Sequence, residues 1–321
     1  MIEDQYPAGN SGILLKESAF SSVTANNSRT LTAWIVLLVG AVVGLLLAIL
    51  WIPAIADDTI GVNIASGILG TNAASATITS AWFSFAFAIA AGLGNTFTAC
   101  NCVVFSCIAP LSGQKSRTNL GVWRLLMWMA IGVIVATVVY SIVSTILDTH
   151  IPMLSKGVLP IGKDFPIRLL QSVVVFVILG VVLLYWGLVT LRFAPNPFRK
   201  LVEARAWTMP LFLGLIIGCF SIGRPYPLFQ TLFQYAVSTG NVFLSAALLA
   251  LQGLCNIAVM ALLFVLLTLG TRGRFERWMQ ANPSRIKIIT AFSVIGGGIF
   301  LIAYWGIRLP AVFGIGWFPH L

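Results

Sequence analysis

The sequence predicts an all-α polytopic membrane protein with seven transmembrane helices, one extra N-terminal helix added to a 3+3 inverted-repeat core. Three observations carry that expectation. Of 321 residues, 59% are apolar and only 9% are charged, whereas soluble domains run at about 45–50% and about 25%. Seven apolar stretches reach the length of about 20 residues that a helix needs to cross about 30 Å of hydrocarbon. Two of these stretches are interrupted at matching places in the two halves of the chain, which is the sequence pointer to an inverted repeat with a site at its interface. The composition excludes a water-soluble enzyme, and five cysteines are too few for a disulfide scaffold. The formal charge of +10 fits Lys and Arg facing anionic headgroups, and no nucleic-acid partner is expected.

In chain order, residues 1–31 form a polar leader, expected to be cytoplasmic and loosely ordered. The first span, 32–54, lacks a basic segment before it and a small-residue cleavage site after it, so it reads as a retained helix. The remaining spans lie near 80–110, 122–147, 168–192, 207–236, 241–269 and 287–307. They group into a first three-helix repeat, 80–192, and a second, 207–307, followed by an outer tail, 308–321.

Basic residues set the orientation. With the N-terminus inside, fourteen Lys and Arg face the cytoplasm. The outer side keeps five, namely Lys156, Lys163, Arg168, Arg224 and Arg308. This bias predicts a multi-pass protein of the cell's inner (plasma) membrane with its N-terminus in and its C-terminus out.

The interrupted spans hold the candidate chemistry. Span two carries Gly92, Gly94, Asn95, Thr96, Thr98, Cys100, Asn101, Cys102, Ser106 and Cys107. So many polar groups in one membrane segment are costly unless they face protein or a watery cavity. A thiol there exchanges disulfides if it forms thiolate and reaches a partner; equally, a free cysteine packs as a small apolar group. Cys100 and Cys107 lie about 10 Å apart along a continuous helix, beyond the about 7 Å limit for a disulfide. Cys100 and Cys102 pair only if the segment is unwound. A bond from Cys100 to Cys219 would cross the repeat interface. Cys255 shares a helix face with Gln252 and Asn256, which helix–helix contact explains.

Span five contains Ile222-Gly223-Arg224-Pro225-Tyr226-Pro227. Its two prolines interrupt the helix. Arg224 is then an intramembrane charge marking a site, or it snorkels to the outer interface if the helix ends before Gly223. With Asn95 and Asn101 it forms the candidate substrate-binding set. His150 and His320 lie outside the spans and far apart, so no metal site is predicted. There is no phosphate-binding glycine loop. Gly296-Gly297-Gly298 reads as a close-packing surface, and Trp317-Phe318 as an interfacial anchor.

These motifs resemble the transmembrane family of CcdA and the central domain of DsbD, within the LysE-type group. The first core helix of that family carries a pattern like AGLLSFLSPCVLP. Here Ala91-Gly92-Leu93-Gly94-Asn95-Thr96-Phe97-Thr98-Ala99-Cys100 follows it, with Ala99 at the usual proline and Cys100 at the cysteine. The second half opens in the family like GFAFALGWTPCIGP. The matching stretch is Gly214 to Pro227, with Arg224 at the cysteine position and Pro227 at the final proline. The resemblance covers spans two to seven. It implies transmembrane thiol–disulfide electron transfer that supports cytochrome c biogenesis or periplasmic thiol reduction. The implied partners are a cytoplasmic thioredoxin-like donor and a periplasmic thioredoxin-like acceptor, with no bound cofactor. Cys100 would be the nucleophile, with Cys219 or Cys102 as resolving partner. Two other functions fit the same sequence: a solute transporter of this fold using Arg224, and a non-catalytic subunit of a larger membrane complex.

Overall fold

Backbone groups in hydrocarbon must be satisfied within the segment, so long apolar runs become helices. The computed structural model describes residues 11–52, 59–96, 122–155, 157–197, 205, 207–271, 274 and 281–319. Its helices are α1 (Ser11–Leu50), α2 (Val62–Leu69), α3 (Ala81–Asn95), α4 (Val122–Leu147), α5 (Ile167–Thr190), α6 (Thr208–Gly223), α7 (Pro227–Ser238), α8 (Val242–Gly270), α9 (Pro283–Leu301) and the short α10 (Leu309–Val312). Among the described residues, five helical segments are long and apolar enough to cross a membrane, six if the bent pair α6–α7 counts as one. This is an all-α protein compatible with a membrane-embedded life. Its apolar exterior agrees: Leu38, Val42, Val139, Val174, Ile178 and Leu262 all point outward.

Three details differ from the sequence reading. The segment expected to be a loose leader is helical from Ser11, because α1 runs unbroken through it. The 207–236 stretch is not one rod, since α6 and α7 meet at 90°. The all-helical expectation also misses a two-residue ladder, β1 (Val158–Leu159) paired antiparallel with β2 (Phe165–Pro166). Span two is described only as far as Thr96; Cys100, Asn101, Cys102 and Cys107 lie outside the described residues.

Helix pairing follows the small residues. α4 lies along α6, α3 along α8, α4 along α8, α5 along α9, and α1 along α9. A Cβ on Gly214 would strike the Met129 carbonyl oxygen, and one on Gly92 would strike the Gln252 carbonyl oxygen. Backbones therefore approach closely where a side chain would hold them apart. The three-glycine run of α9 is shared: Gly296 faces Gly44 of α1, and Gly298 faces Gly180 of α5. Beyond α9 a π-helical segment, Ile302–Arg308, continues the span into α10. There Arg308 Nη1 donates to the carbonyl oxygens of Ala48 (2.6 Å) and Trp51 (2.7 Å), closing off the end of α1.

Two main apolar clusters form. One gathers Leu126, Met129, Phe176, Leu213, Phe220, Phe300 and Trp305 around α4, α5, α6 and α9. The other gathers Phe87, Tyr226, Phe229, Phe233 and Leu248 around α3, α7 and α8. The α6–α7 break lies between them.

Because α4 and α6 touch backbone to backbone at Gly214, Gly214→Val is expected to cost about 1–3 kcal/mol through overpacking. Gly270, at the end of α8, has open space around it, so Gly270→Val leaves the unfolding midpoint nearly unchanged. Denaturant unfolding of the detergent-solubilised protein reads both.

Candidate functional site

The break is written in four residues. Arg224 precedes Pro225 and Tyr226 precedes Pro227. A residue before proline is driven out of the helical region into extended geometry. Both obey: Arg224 has φ −89°, ψ 129° and Tyr226 has φ −74°, ψ 129°. Two extended steps turn the chain, and Pro227 then suits the first position of α7, where its missing N–H is no loss. Neither arm crosses a bilayer alone, since the 16 residues of α6 span roughly 24 Å by helix rise.

α3 stops in the same neighbourhood. Its 15 residues end at Asn95, a length of roughly 22 Å. Thr96 closes the end by donating from Oγ1 to the carbonyl oxygens of Asn256 (3.0 Å) and Gly92 (3.3 Å). Asn95 accepts a long hydrogen bond, 3.4 Å, from Arg224 Nη1, joining residues 129 apart in sequence.

Arg224 is only 7% exposed, enclosed by protein. Its guanidinium lies 5.8 Å from the Tyr226 ring centroid, within cation–π range. It also occupies the C-terminal end of α6 and touches the last residue of α3. The C-terminal end of a helix carries roughly half a negative charge. The buried cation therefore lies beside the end of α3.

Around it the seam is polar. Ser221, one turn earlier on α6, donates from Oγ to Gln252 Oε1 at 3.0 Å. Gln252 is fully buried, and its Nε2 has no hydrogen-bond partner among the described residues. Asn256 follows one turn on and is also buried. Asn95, Thr96, Ser221, Arg224, Tyr226, Gln252 and Asn256 thus line one buried seam supplied by α3, α6, α8 and the break.

Of the residues predicted from sequence, Asn95 and Arg224 are brought together. Cys219 is not at the seam: it is half-buried and packs against the apolar cluster of α4, α5, α6 and α9. Cys255 is half-buried opposite Gly92, as helix–helix contact requires. Cys100, Cys102 and Asn101 lie outside the described residues. Sequence reading missed Ser221 and Tyr226, and it assigned Gln252 and Asn256 to helix contact alone. Their signal was present as two amides spaced by one turn on α8, and as Ser221 three residues before Arg224.

A double-mutant cycle tests the seam. Ser221→Ala and Gln252→Leu are expected to couple by about 0.6 kcal/mol and by at most about 1.7 kcal/mol, the range for hydrogen bonds between membrane helices. Unfolding free energies of the two single variants and the double variant provide the measurement. Comparison with family models, with curated proteins and with solved structures finds no match for this chain.

Proposed function

We propose that this chain carries reducing equivalents across a membrane by thiol–disulfide exchange, working where the end of α3 meets the α6–α7 break. The observation that supports this reading most is the Asn95–Arg224 hydrogen bond. The resemblance to the CcdA and DsbD family aligns Cys100 with one family cysteine and Arg224 with the other. The Asn95–Arg224 contact supports that alignment by bringing the last residue of α3 to the break.

The packing supports a 3+3 inverted repeat as well. Exchanging the triplet α3, α4, α5 for the triplet α6, α8, α9 leaves the main pairings unchanged: α4 on α6 becomes α8 on α3, while α4–α8 and α5–α9 map onto themselves. In this arrangement span two is the seventh membrane crossing, α1 is the added helix, and the N-terminus faces the cytoplasm of an inner membrane.

In the mechanism, a cytoplasmic thioredoxin-like dithiol reduces a disulfide of this chain and becomes a disulfide itself. The chain's new dithiol then reduces an outer thioredoxin-like disulfide, each exchange passing two electrons. Cys100 is the nucleophile. Cys102 is the resolving partner, favoured over Cys219 because Cys219 sits in the apolar cluster. A positive charge beside a sulfur favours the thiolate that performs exchange. A thiolate beyond the end of α3 would otherwise face a negative helix pole, and Arg224 offsets that pole.

Trapping thiols in cells with an alkylating mass tag, with and without cytoplasmic thioredoxin, tests the proposal. The expected result is a Cys100 adduct that falls when the donor is removed, and Arg224→Gln lowers the exchange rate about tenfold or more. A Cys100 fully reduced in both conditions, together with a Cys100→Ser strain that behaves like the parent, overturns it.

A second reading is favoured by the seam itself. Buried guanidinium, amide and hydroxyl groups at a helix break suit a transporter for a small anionic solute. That reading requires Arg224→Gln to abolish flux in proteoliposomes, whatever the state of Cys100.

A further inference from the structure

We propose that Thr59–Leu69 is a built-in plug that seals the Asn95–Arg224 junction, seated on a contact that only glycine allows. The segment lies between the extra N-terminal helix and the first triplet, outside both triplets. It enters as a π-helical turn over residues 59–61 and continues as α2, which packs on α3.

The seat is unusually close. A Cβ on Gly61 would lie 2.6 Å from Tyr226 Oη and 3.1 Å from the Gly94 carbonyl oxygen. A Cβ on Gly94 would lie 2.6 Å from the Gly61 carbonyl oxygen and 2.9 Å from Tyr226 Oη. Two backbones therefore cross with a tyrosine hydroxyl wedged beside them, and no side chain fits at either glycine without displacing something. Gly94 is the residue before Asn95. The ring of Tyr226 faces the Arg224 guanidinium, and Tyr226 is only 1% exposed. Lifting Gly61 from this seat uncovers the tyrosine hydroxyl and the end of α3, directly beside the Asn95–Arg224 pair.

The rest of the segment is lightly held. Within the eight residues of α2, Ala65 is the buried one, and Ile60 and Ile68 are exposed. The chain leaves α2 through Gly70 in the left-handed region (φ 68°), and Ser66 Oγ accepts from the Ala73 amide at 3.0 Å. A short helix with one buried residue opens more readily than the spans around it. A tight seat on a lightly held element is the construction of a part that closes and opens.

This inference rests on reading the Asn95–Arg224 junction as the working site, but its test reads access, not chemistry. Asn95→Cys is introduced in the full chain in lipid nanodiscs, and its labelling by a water-soluble maleimide is followed residue by residue by mass spectrometry. Labelling is slow in the parent. Gly61→Leu, which forces a branched side chain into the seat, raises the rate about tenfold or more. Gly67→Leu, on the same segment but with open space around it, leaves the rate within about twofold. Gly61→Ala gives an intermediate rate and covers the case in which the leucine variant does not accumulate. A parental rate in whichever Gly61 variant accumulates overturns the plug, as does an equal increase from Gly67→Leu. Failure of the thiol-trapping experiment leaves these rates unchanged, so the two proposals fall separately.

Discussion

A positive charge buried where two helices end is the constraint around which this molecule is organised. α3 and α6 each stop short of a full crossing, and their C-terminal ends converge. Converging C-termini place two negative poles in a low-dielectric setting, where they repel and where their last carbonyls lack intrahelical partners. Arg224 brings a positive charge to that place. Its guanidinium supplies the opposing charge and donors in a planar fork, and it is held between Asn95 and the Tyr226 ring. The prolines on either side of Tyr226 fix the extended turn that delivers it.

The seam also explains why the apolar interior is divided. Within the bent pair α6–α7, Leu213 to Phe220 pack into one cluster and Tyr226 to Val237 into the other. Between them, the polar groups of α8 meet those of α3 and α6. Hydrogen bonds between membrane helices are individually modest, and α8 runs through both clusters, with Leu248 in one and Phe264 in the other.

Much of this was legible in the sequence, for physical reasons. Long apolar runs have no alternative to helix in hydrocarbon, and an arginine between glycine and two prolines cannot sit in a continuous helix. Asn95 stood out because an amide in an apolar run needs a partner. The rest was hidden where spacing is ambiguous. Gln252 and Asn256 at one-turn spacing suit an ordinary helix contact as well as a seam. Cys219 is a candidate partner by sequence because a bond to Cys100 would cross the repeat interface, yet it packs in the apolar cluster of α4, α5, α6 and α9. The role of α2 could not be read because eight residues are too few to announce a membrane segment, and its seat depends on two glycines distant in sequence.

The clasp at the far end of α1 has its own implication for biogenesis. α1 is held by α9, where Gly44 meets Gly296, and by Arg308, which lies 260 residues beyond Ala48. Its docking therefore waits until α9 and Arg308 have been synthesised. A helix made early is fastened by one made about 240 residues later.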